Sequence, residues 1–480
     1  MEKRYFRRAK GDTCFPHDAK LSLPRQKRSF VMIRNRLASM GLPSFALFLF
    51  LSLLQSDLLA QTRQQKVLGD KLKFEATGSW YYNDLEKGFE TAGRLNQPML
   101  VVLRCIPCEE CVKLDDDLIE VNPKLQQLLK SFVRVRVVGT NGLDLSMFQF
   151  DTDQSFAAFI FNADGTLYGR FGTRSDRTQW KEDVSVEGLG KALEAALELH
   201  SNYPANKASL EGKQAGKPLF ATPEKIPSLA RFTSKLDYEG DTVKSCIHCH
   251  MIGEGLKENF RKEYGKIPET LLYSYPHPKA VGLILDPTEC ATVKDVIKGS
   301  AGGDSGFQIG DRIVSLAGQA ILSIADVQWV LHHVPTEGGT AKAAVQRSGQ
   351  QIELTLKLSE NWRSLEDISW RASSWQFRQM GLGGMALKPA TTEERKELGV
   401  VDGQMALAVQ HVGAYAPHDR AKKAGMLKGD VIVEYDGRTD LLRDSDILAY
   451  SINTVEVGRL VKVRFRRGSE ERTVEIATSK

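Results

Sequence analysis

No apolar run in this 480-residue chain is long enough to cross a bilayer as a helix. The best candidate, Leu42–Leu54 (LPSFALFLFLSLL), covers only thirteen positions. A run of that length suits the core of a signal peptide. Arg34 and Arg36 supply its positive flank, and Ala60 offers a small residue for cleavage before Gln61. Residues 1–60 are therefore expected to be a leader with a long basic flank, with Met32 or Met40 as alternative starts. The chain is expected to be exported, periplasmic or secreted, with no stable membrane span after cleavage. Basic surplus is also thin. The net charge is +5, but residues 1–60 contribute +7, which leaves the remainder near −2. No basic face for nucleic acid is signalled. Cysteine is scarce: of seven, Cys14 lies in the leader, Cys290 stands alone, and five fall in two short clusters. In an oxidising compartment such clusters become disulfides or take a covalent cofactor unless something reduces them.

What is present is organised in blocks. Length predicts two to four domains, and 42% hydrophobic with 26% charged residues is ordinary for folded protein. Over residues 72–200, Asp84–Asn96 reads as an amphipathic helix and Met99–Arg104 as a buried strand. A helix ends near Leu129, and Phe132–Val138 alternates like a strand. Phe156–Phe161 and Leu167–Phe171 flank a hairpin turn at Asn162-Ala163-Asp164-Gly165, and Val186–His200 is a final helix. This order resembles the thioredoxin fold. The resemblance places Cys108-Glu109-Glu110-Cys111 at the redox pair, with Cys105 at the strand end as a possible resolving thiol. A cysteine at a helix start is favoured as thiolate. Two departures count against exchange chemistry. Glu109 and Glu110 disfavour a thiolate, and Ala157 stands where the family carries a cis-proline. A structural disulfide or a metal-gripping trio remains open for these cysteines.

Residues 201–235 read as a linker, and 236–276 carry Cys246-Ile247-His248-Cys249-His250. Cys-x-x-Cys-His resembles the attachment site of c-type cytochromes. That resemblance implies haem c on Cys246 and Cys249 with iron on His250; His277, the one nearby histidine further along, is the candidate distal ligand, with five-coordinate iron as the alternative. A zinc site, which lacks a clear fourth ligand, and a simple disulfide remain alternatives. No nucleotide cofactor is expected.

The C-terminal half repeats itself. Ser305-Gly306-Phe307-Gln308-Ile309-Gly310-Asp311 has a counterpart in Ala424-Gly425-Met426-Leu427-Lys428-Gly429-Asp430, offset by 119. Arg347-Ser348-Gly349 matches Arg466-Arg467-Gly468 at the same offset. Helices are expected at Ile324–His333 and Asp444–Thr454. Both copies, 277–358 and 377–478, resemble PDZ domains of the kind attached to periplasmic proteases. That resemblance implies an extended peptide added as a strand, with its carboxylate on Val281-Gly282-Leu283-Ile284 or Met380-Gly381-Leu382-Gly383-Gly384. Gly303-Asp304-Ser305-Gly306 looks like a serine-protease signature, but the repeat sets Ser305 opposite Ala424, so no protease is expected. In the connector 359–376, Trp362, Trp370 and Trp375 are expected to be packing anchors.

The fold class is thus multidomain α/β and α+β: a thioredoxin-like fold, a short haem-binding-like helical segment and two PDZ-like domains. The expected function is an extracytoplasmic, peptide-binding scaffold, redox-linked through haem, with an unknown redox partner. The alternative is a thiol–disulfide oxidoreductase using Cys108 and Cys111, its PDZ domains recruiting clients.

Overall fold

The computed structural model describes residues 62–104, 122–154, 156–176 and 182–479. The expected leader, and Cys105, Cys108 and Cys111, lie outside the described residues. Helix α1 (Arg63–Thr77) opens on a capping box between Thr62 and Gln65. Only Val67 and Phe74 of it are buried, so no apolar stripe announces it. Strand β1 (Tyr81–Tyr82) follows, then α2 (Leu85–Leu95), capped by the Asp84 carboxylate accepting from Lys87 N–H. Next come β2 (Met99–Arg104), α3 (Pro123–Leu129), β3 (Val133–Val138), β4 (Phe156–Phe161), β5 (Leu167–Phe171) and α4 (Val186–Ser201).

These strands make one sheet in the order β1-β3-β2-β4-β5, with β1, β2 and β3 parallel and β4 and β5 antiparallel. Every residue of β2 and β4 is buried, as continuous apolar runs demand when both sheet faces are covered. Leu189, Ala192 and Leu193 of α4 cover one face, and Phe148, Phe150 and Ala92 cover the other. The hairpin closes where Asn162 N–H donates to Thr166 O, with Gly165 at φ +85. Ala157 lies inside β4 opposite Leu103, so the departure from proline stands.

The expected linker is not an open spacer. Residues 207–213, 223–225 and 227–229 form short 3-10 turns that bury Leu210, Lys213, Ile226 and Leu229. The fully buried Lys213 ammonium lies 3.1 Å from Asp326 Oδ1 of the first repeated unit. That long-range partner is why a lysine-bearing stretch folds against the core. Then a helical turn at Thr242–Ser245 leads to α5 (Cys249–Tyr264).

The first repeated unit contains β6 (Leu283–Asp286), β7 (Thr292–Val296), β8 (Arg312–Leu316), β9 (Gln319–Ala320), α6 (Ile324–His333), β10 (Gly339–Arg347) and β11 (Gln350–Leu358). Its sheet runs β11-β10-β8-β7-β6. Helix α7 (Ser374–Leu382) leads into the second unit: β12 (Met385–Pro389), β13 (Leu407–Val412), β14 (Val431–Tyr435), α8 (Asp444–Asn453), β15 (Leu460–Arg467) and β16 (Glu470–Ala477). Its sheet, β16-β15-β14-β13-β12, follows the same path.

The structure corrects one equivalence. Arg347 donates from Nε (2.6 Å) and Nη2 (2.7 Å) to the Asp311 carboxylate, and Nη2 also reaches Gly306 O. The residue doing the same to Asp430 and Gly425 O is Arg467, not Arg466. The hairpins turn on Ser348-Gly349, both at positive φ, and on Gly468-Ser469, where only the glycine is. Each is a two-residue turn that matches strand twist, so the offset shifts by one without breaking the ladder. In the connector, Trp362 and Trp370 are buried as packing anchors, and Trp362 donates from Nε1 to Pro335 O.

Candidate functional site

The Cys246–His250 segment is bolted to the thioredoxin-like body at the carboxyl end of its sheet. Just past β3, Thr140 donates from N–H and from its hydroxyl to Ile247 O, both at 2.9 Å. Asn141 accepts from Ile247 N–H at 2.8 Å and donates to Ser245 O at 2.9 Å and Thr233 O at 2.8 Å. Gly139, at φ +75, passes close above Cys246, and a Cβ there would come 2.9 Å from Sγ and 3.4 Å from a Leu236 methyl. Helix α1 buttresses this seat: Val67 packs with Val138, Leu236 and Tyr238, and Gln64 donates to Gly240 O.

The two cysteines differ. Cys246, in extended backbone, is 4% exposed. Burial, and then the neighbouring Cys249, push its thiol up to about 12. Cys249 is the first residue of α5, half-buried against the thioredoxin-like core beside β2 and β4. His248 precedes it, and burial pushes its imidazole down to about 4, with His250 and Arg63 adding to the effect. The His248 and His250 rings stack at 5.8 Å. The His250 side chain is 42% exposed, with Nδ1 3.1 Å from Glu254 Oε1 one turn on.

Covalent haem requires both sulfurs and the adjacent imidazole to face one macrocycle. His250 alone suits that role, since a ligating imidazole is commonly oriented by a carboxylate on its other nitrogen. The Cys246 sulfur does not. It is closed into a seam of Gly139, Leu236 and the thioredoxin-like body. The described residues therefore do not fit a covalent haem in this packing. His277 also falls elsewhere. Its Nδ1 accepts from Lys279 N–H at 3.2 Å, its Nε2 lies 3.5 Å from Asp183 Oδ1, and its own N–H donates to Glu366. Those contacts hold it between the first repeated unit, Asp183 of the thioredoxin-like body and Glu366 of the connector. Among the described residues no group of three or more His, Cys, Asp or Glu side chains converges to hold a metal.

A second constellation has no sequence motif. Arg371, 1% exposed, donates from Nη1 to both oxygens of Asp151 at 2.7 and 2.9 Å and from Nη2 to Ser274 O at 2.6 Å. Asp153 accepts from Ser373 N–H and hydroxyl, both at 2.9 Å. Lys257 of α5 lies 3.6 Å from Asp153 and donates to Ser373 Oγ at 2.6 Å. Glu366 lies 3.5 Å from Arg371 and accepts from His277 N–H at 2.8 Å. This buried network joins the thioredoxin-like body, α5, the connector and the first unit. Sequence reasoning has no signal for it beyond charged residues next to the connector tryptophans.

The sheet edges expected to take a peptide differ between the repeats. Strands β6 and β12 each lie at the end of their sheet, so each has one unpaired edge. Val281 lies in a 3-10 turn, Gly282 N–H donates to Lys279 O, and Leu283 and Ile284 open β6. Helix α6 is buried from Ile324 to Leu331. It lies against β5: Ser323 donates to Arg170 O, Arg170 N–H to Asp326, Thr173 to Gln328 Oε1, and the Arg170 guanidinium sits 3.8 Å over Trp329. In the second unit, Gly381 and Leu382 fall inside α7. The N–H groups of Gly383 and Gly384 both donate to Arg378 O, which corrects the expectation of an open carboxylate nest there. Ser305 lies at the end of a helical turn and accepts from Lys357 N–H, as part of a sheet-edge turn.

Comparison with known proteins bears on two of these regions. A family model described as Thioredoxin-like matches residues 80–163. One described as PDZ domain matches residues 292–337. A curated relative from Pseudomonas savastanoi pv. phaseolicola (strain 1448A / Race 6), a probable periplasmic serine endoprotease DegP-like, is 26% identical over 157 residues, 32% of this chain and 30% of its own. A relative of the same description from Pseudomonas putida (strain GB-1) is 27% identical over 148 residues, 31% of this chain and 29% of its own. The chain thus spans under a third of the length of the curated relatives it matches. Among solved structures, the HtrA3 PDZ domain bound to a phage-derived ligand (FGRWV) is 28% identical and covers 20% of this chain and 80% of its own, at a TM-score of 0.15. The HtrA-type protease AlgW with tripeptide is 17% identical and covers 28% and 42%, at a TM-score of 0.18. The chain carries a thioredoxin-like region and a PDZ domain.

Proposed function

We propose that the chain is an exported, peptide-binding scaffold in which the first repeated unit is fixed to the thioredoxin-like body and the second unit, also PDZ-like, reads an extended peptide along β12. The observation that carries this reading is the unequal exposure of the two helices. Helix α6 is buried from Ile324 to Leu331, largely against β5, while α8, which packs on α7, keeps Ala449 and Tyr450 partly exposed, the latter donating to Asp436. A peptide added as a strand gains its affinity from main-chain hydrogen bonds at a sheet edge. With the N–H groups of Gly383 and Gly384 already engaged, such binding depends less on a terminal carboxylate. The relatives' description as periplasmic proteins supports export, and no helix among the described residues is long and apolar enough to cross a membrane. Covalent haem is left aside because Cys246 is closed in.

Hydrogen exchange tests the scaffold reading. A pool of synthetic decapeptides ending in apolar residues is added to the full chain. Amides of Met385–Pro389 are expected to gain protection while those of Leu283–Asp286 stay unchanged. Protection of the first edge instead, or of neither, overturns the assignment.

A second reading rests on the family match across residues 80–163, which spans Cys108 and Cys111: thiol–disulfide exchange by that pair. The measurement is insulin reduction by the full chain carrying Cys246→Ser and Cys249→Ser, with activity expected to disappear when Cys108→Ser is added. Unchanged turnover in that variant removes this reading.

A further inference from the structure

We propose that Cys246 and Cys249 form a redox-active dithiol–disulfide pair seated on the thioredoxin-like sheet, with Cys249 the attacking thiol and Cys246 the resolving one. This pair is distinct from Cys108/Cys111 and stands independently of the peptide-binding reading.

Three features carry the assignment. The first is position. Cys249 opens a 16-residue helix, where the positive end of the helix stabilises a thiolate. It is half-buried, and so partly open to solvent where Cys246 is closed in. The second is asymmetry. Cys246 sits three residues earlier in extended backbone, 4% exposed and closed in by Gly139 and Leu236. A buried thiol is protected from outside reagents but can attack a sulfur delivered within the pair. The third is the frame. Thr140 and Asn141 fix the intervening Ile247 from both sides through hydrogen bonds of 2.8 and 2.9 Å. Ile247 is also fully buried, which holds the two cysteine backbones in register. The burial of the Cys246 sulfur is what this role needs.

The chemistry balances without a cofactor. Cys249 thiolate attacks one sulfur of an external disulfide, and the other sulfur leaves as a thiolate that takes up a proton. The Cys246 thiol then gives up its proton and attacks Cys249 Sγ. The Cys246–Cys249 disulfide forms and the bound half leaves as a thiol. Two electrons pass from the dithiol to the external disulfide.

The first test uses the wild-type full chain. It is equilibrated in reduced and oxidised glutathione buffers, alkylated and digested with trypsin. The peptide spanning residues 245–257 contains both cysteines, since Lys244 precedes it and Lys257 ends it. It is expected to change from doubly alkylated to two hydrogens lighter than the unmodified peptide across one transition. Cys290, buried in the first unit, is expected to remain alkylatable after denaturation throughout. Next, Cys246→Ser is combined with serine at Cys14, Cys105, Cys108 and Cys111. It is expected to retain one glutathionyl group on Cys249, while Cys249→Ser in that background retains none. Exchange with oxidised glutathione alone, or also with a disulfide-bonded peptide, supports the pair and shows whether a small or a polypeptide disulfide supplies it. Three results overturn it: a tetrapyrrole mass on the 245–257 peptide, alkylation of both sulfurs in every buffer, or glutathione trapped on Cys246 instead. The wild-type digest decides the matter even where the multiple variant fails to fold.

Discussion

Replacing Arg371 with alanine is expected to lower folding stability by about 3–5 kcal/mol, the range typical of stripping one partner from a buried ion pair. Its guanidinium holds both oxygens of Asp151, approaches Asp153 and Glu366 at 3.5 Å, and donates to Ser274 O. Without it, the three buried carboxylates retain a single nearby ammonium, that of Lys257, itself 3.6 Å from Asp153. Burial already raises the Asp151 carboxyl above its ordinary range, and Arg371 is the largest influence opposing that. The variant therefore either protonates Asp151 or leaves it charged and unpaired, and both cost stability. Lys235→Ala, at an exposed position outside the network, is the control and should stay within about 0.5 kcal/mol. Urea midpoints measure both. A loss below about 1 kcal/mol for Arg371→Ala would show that the network does not tie the thioredoxin-like body to the connector.

The reach of sequence reasoning follows the range of the interactions. Met99–Arg104, Phe156–Phe161, Leu167–Phe171 and Ile324–His333 are found where periodicity and turn residues place them. Each is set by its own apolar run and by local caps, such as the Ser323 hydroxyl accepting from Ala325 N–H. Helix α1 carries no such stripe. Its legible mark is the Thr62/Gln65 capping box just ahead of its first buried side chain, Val67. The folded state of residues 207–229 and the fate of His277 depend on Asp326, Asp183 and Glu366, which no spacing rule connects to them. The same limit applies to the candidate site. Spacing shows that Cys246, Cys249 and His250 belong together. Which sulfur is closed in depends on Gly139, a residue from a different part of the chain.

Glu366→Gln is expected to make the chain more stable than wild type at neutral pH and to leave it nearly unchanged in mild acid. Glu366 is 3% exposed. Burial pushes its carboxyl from the ordinary 4.5 up to about 7, against the opposing pull of Arg371 and of the His277 N–H. A carboxyl raised in this way binds its proton more tightly in the folded chain than in the unfolded one. Stability therefore falls as pH rises from about 4.5 to about 7 and levels off above. His277 works in the opposite sense. Burial pushes its imidazole from 6.5 down to about 4, so its contribution is lost as pH falls through that window. The two slopes partly cancel in wild type below pH 6.5, and a wild-type curve alone hides them. The difference between Glu366→Gln and wild type isolates the carboxyl, because glutamine keeps an acceptor for His277 N–H and carries no charge at any pH. That difference should grow to about 3 kcal/mol between pH 4.5 and 7.5, since each tenfold gain in proton affinity on folding is worth about 1.4 kcal/mol. Urea midpoints at half-unit steps of pH measure it. Parallel curves would mean that Glu366 ionises in the folded chain as it does in the unfolded one, and that Arg371 and the His277 N–H compensate its burial in full.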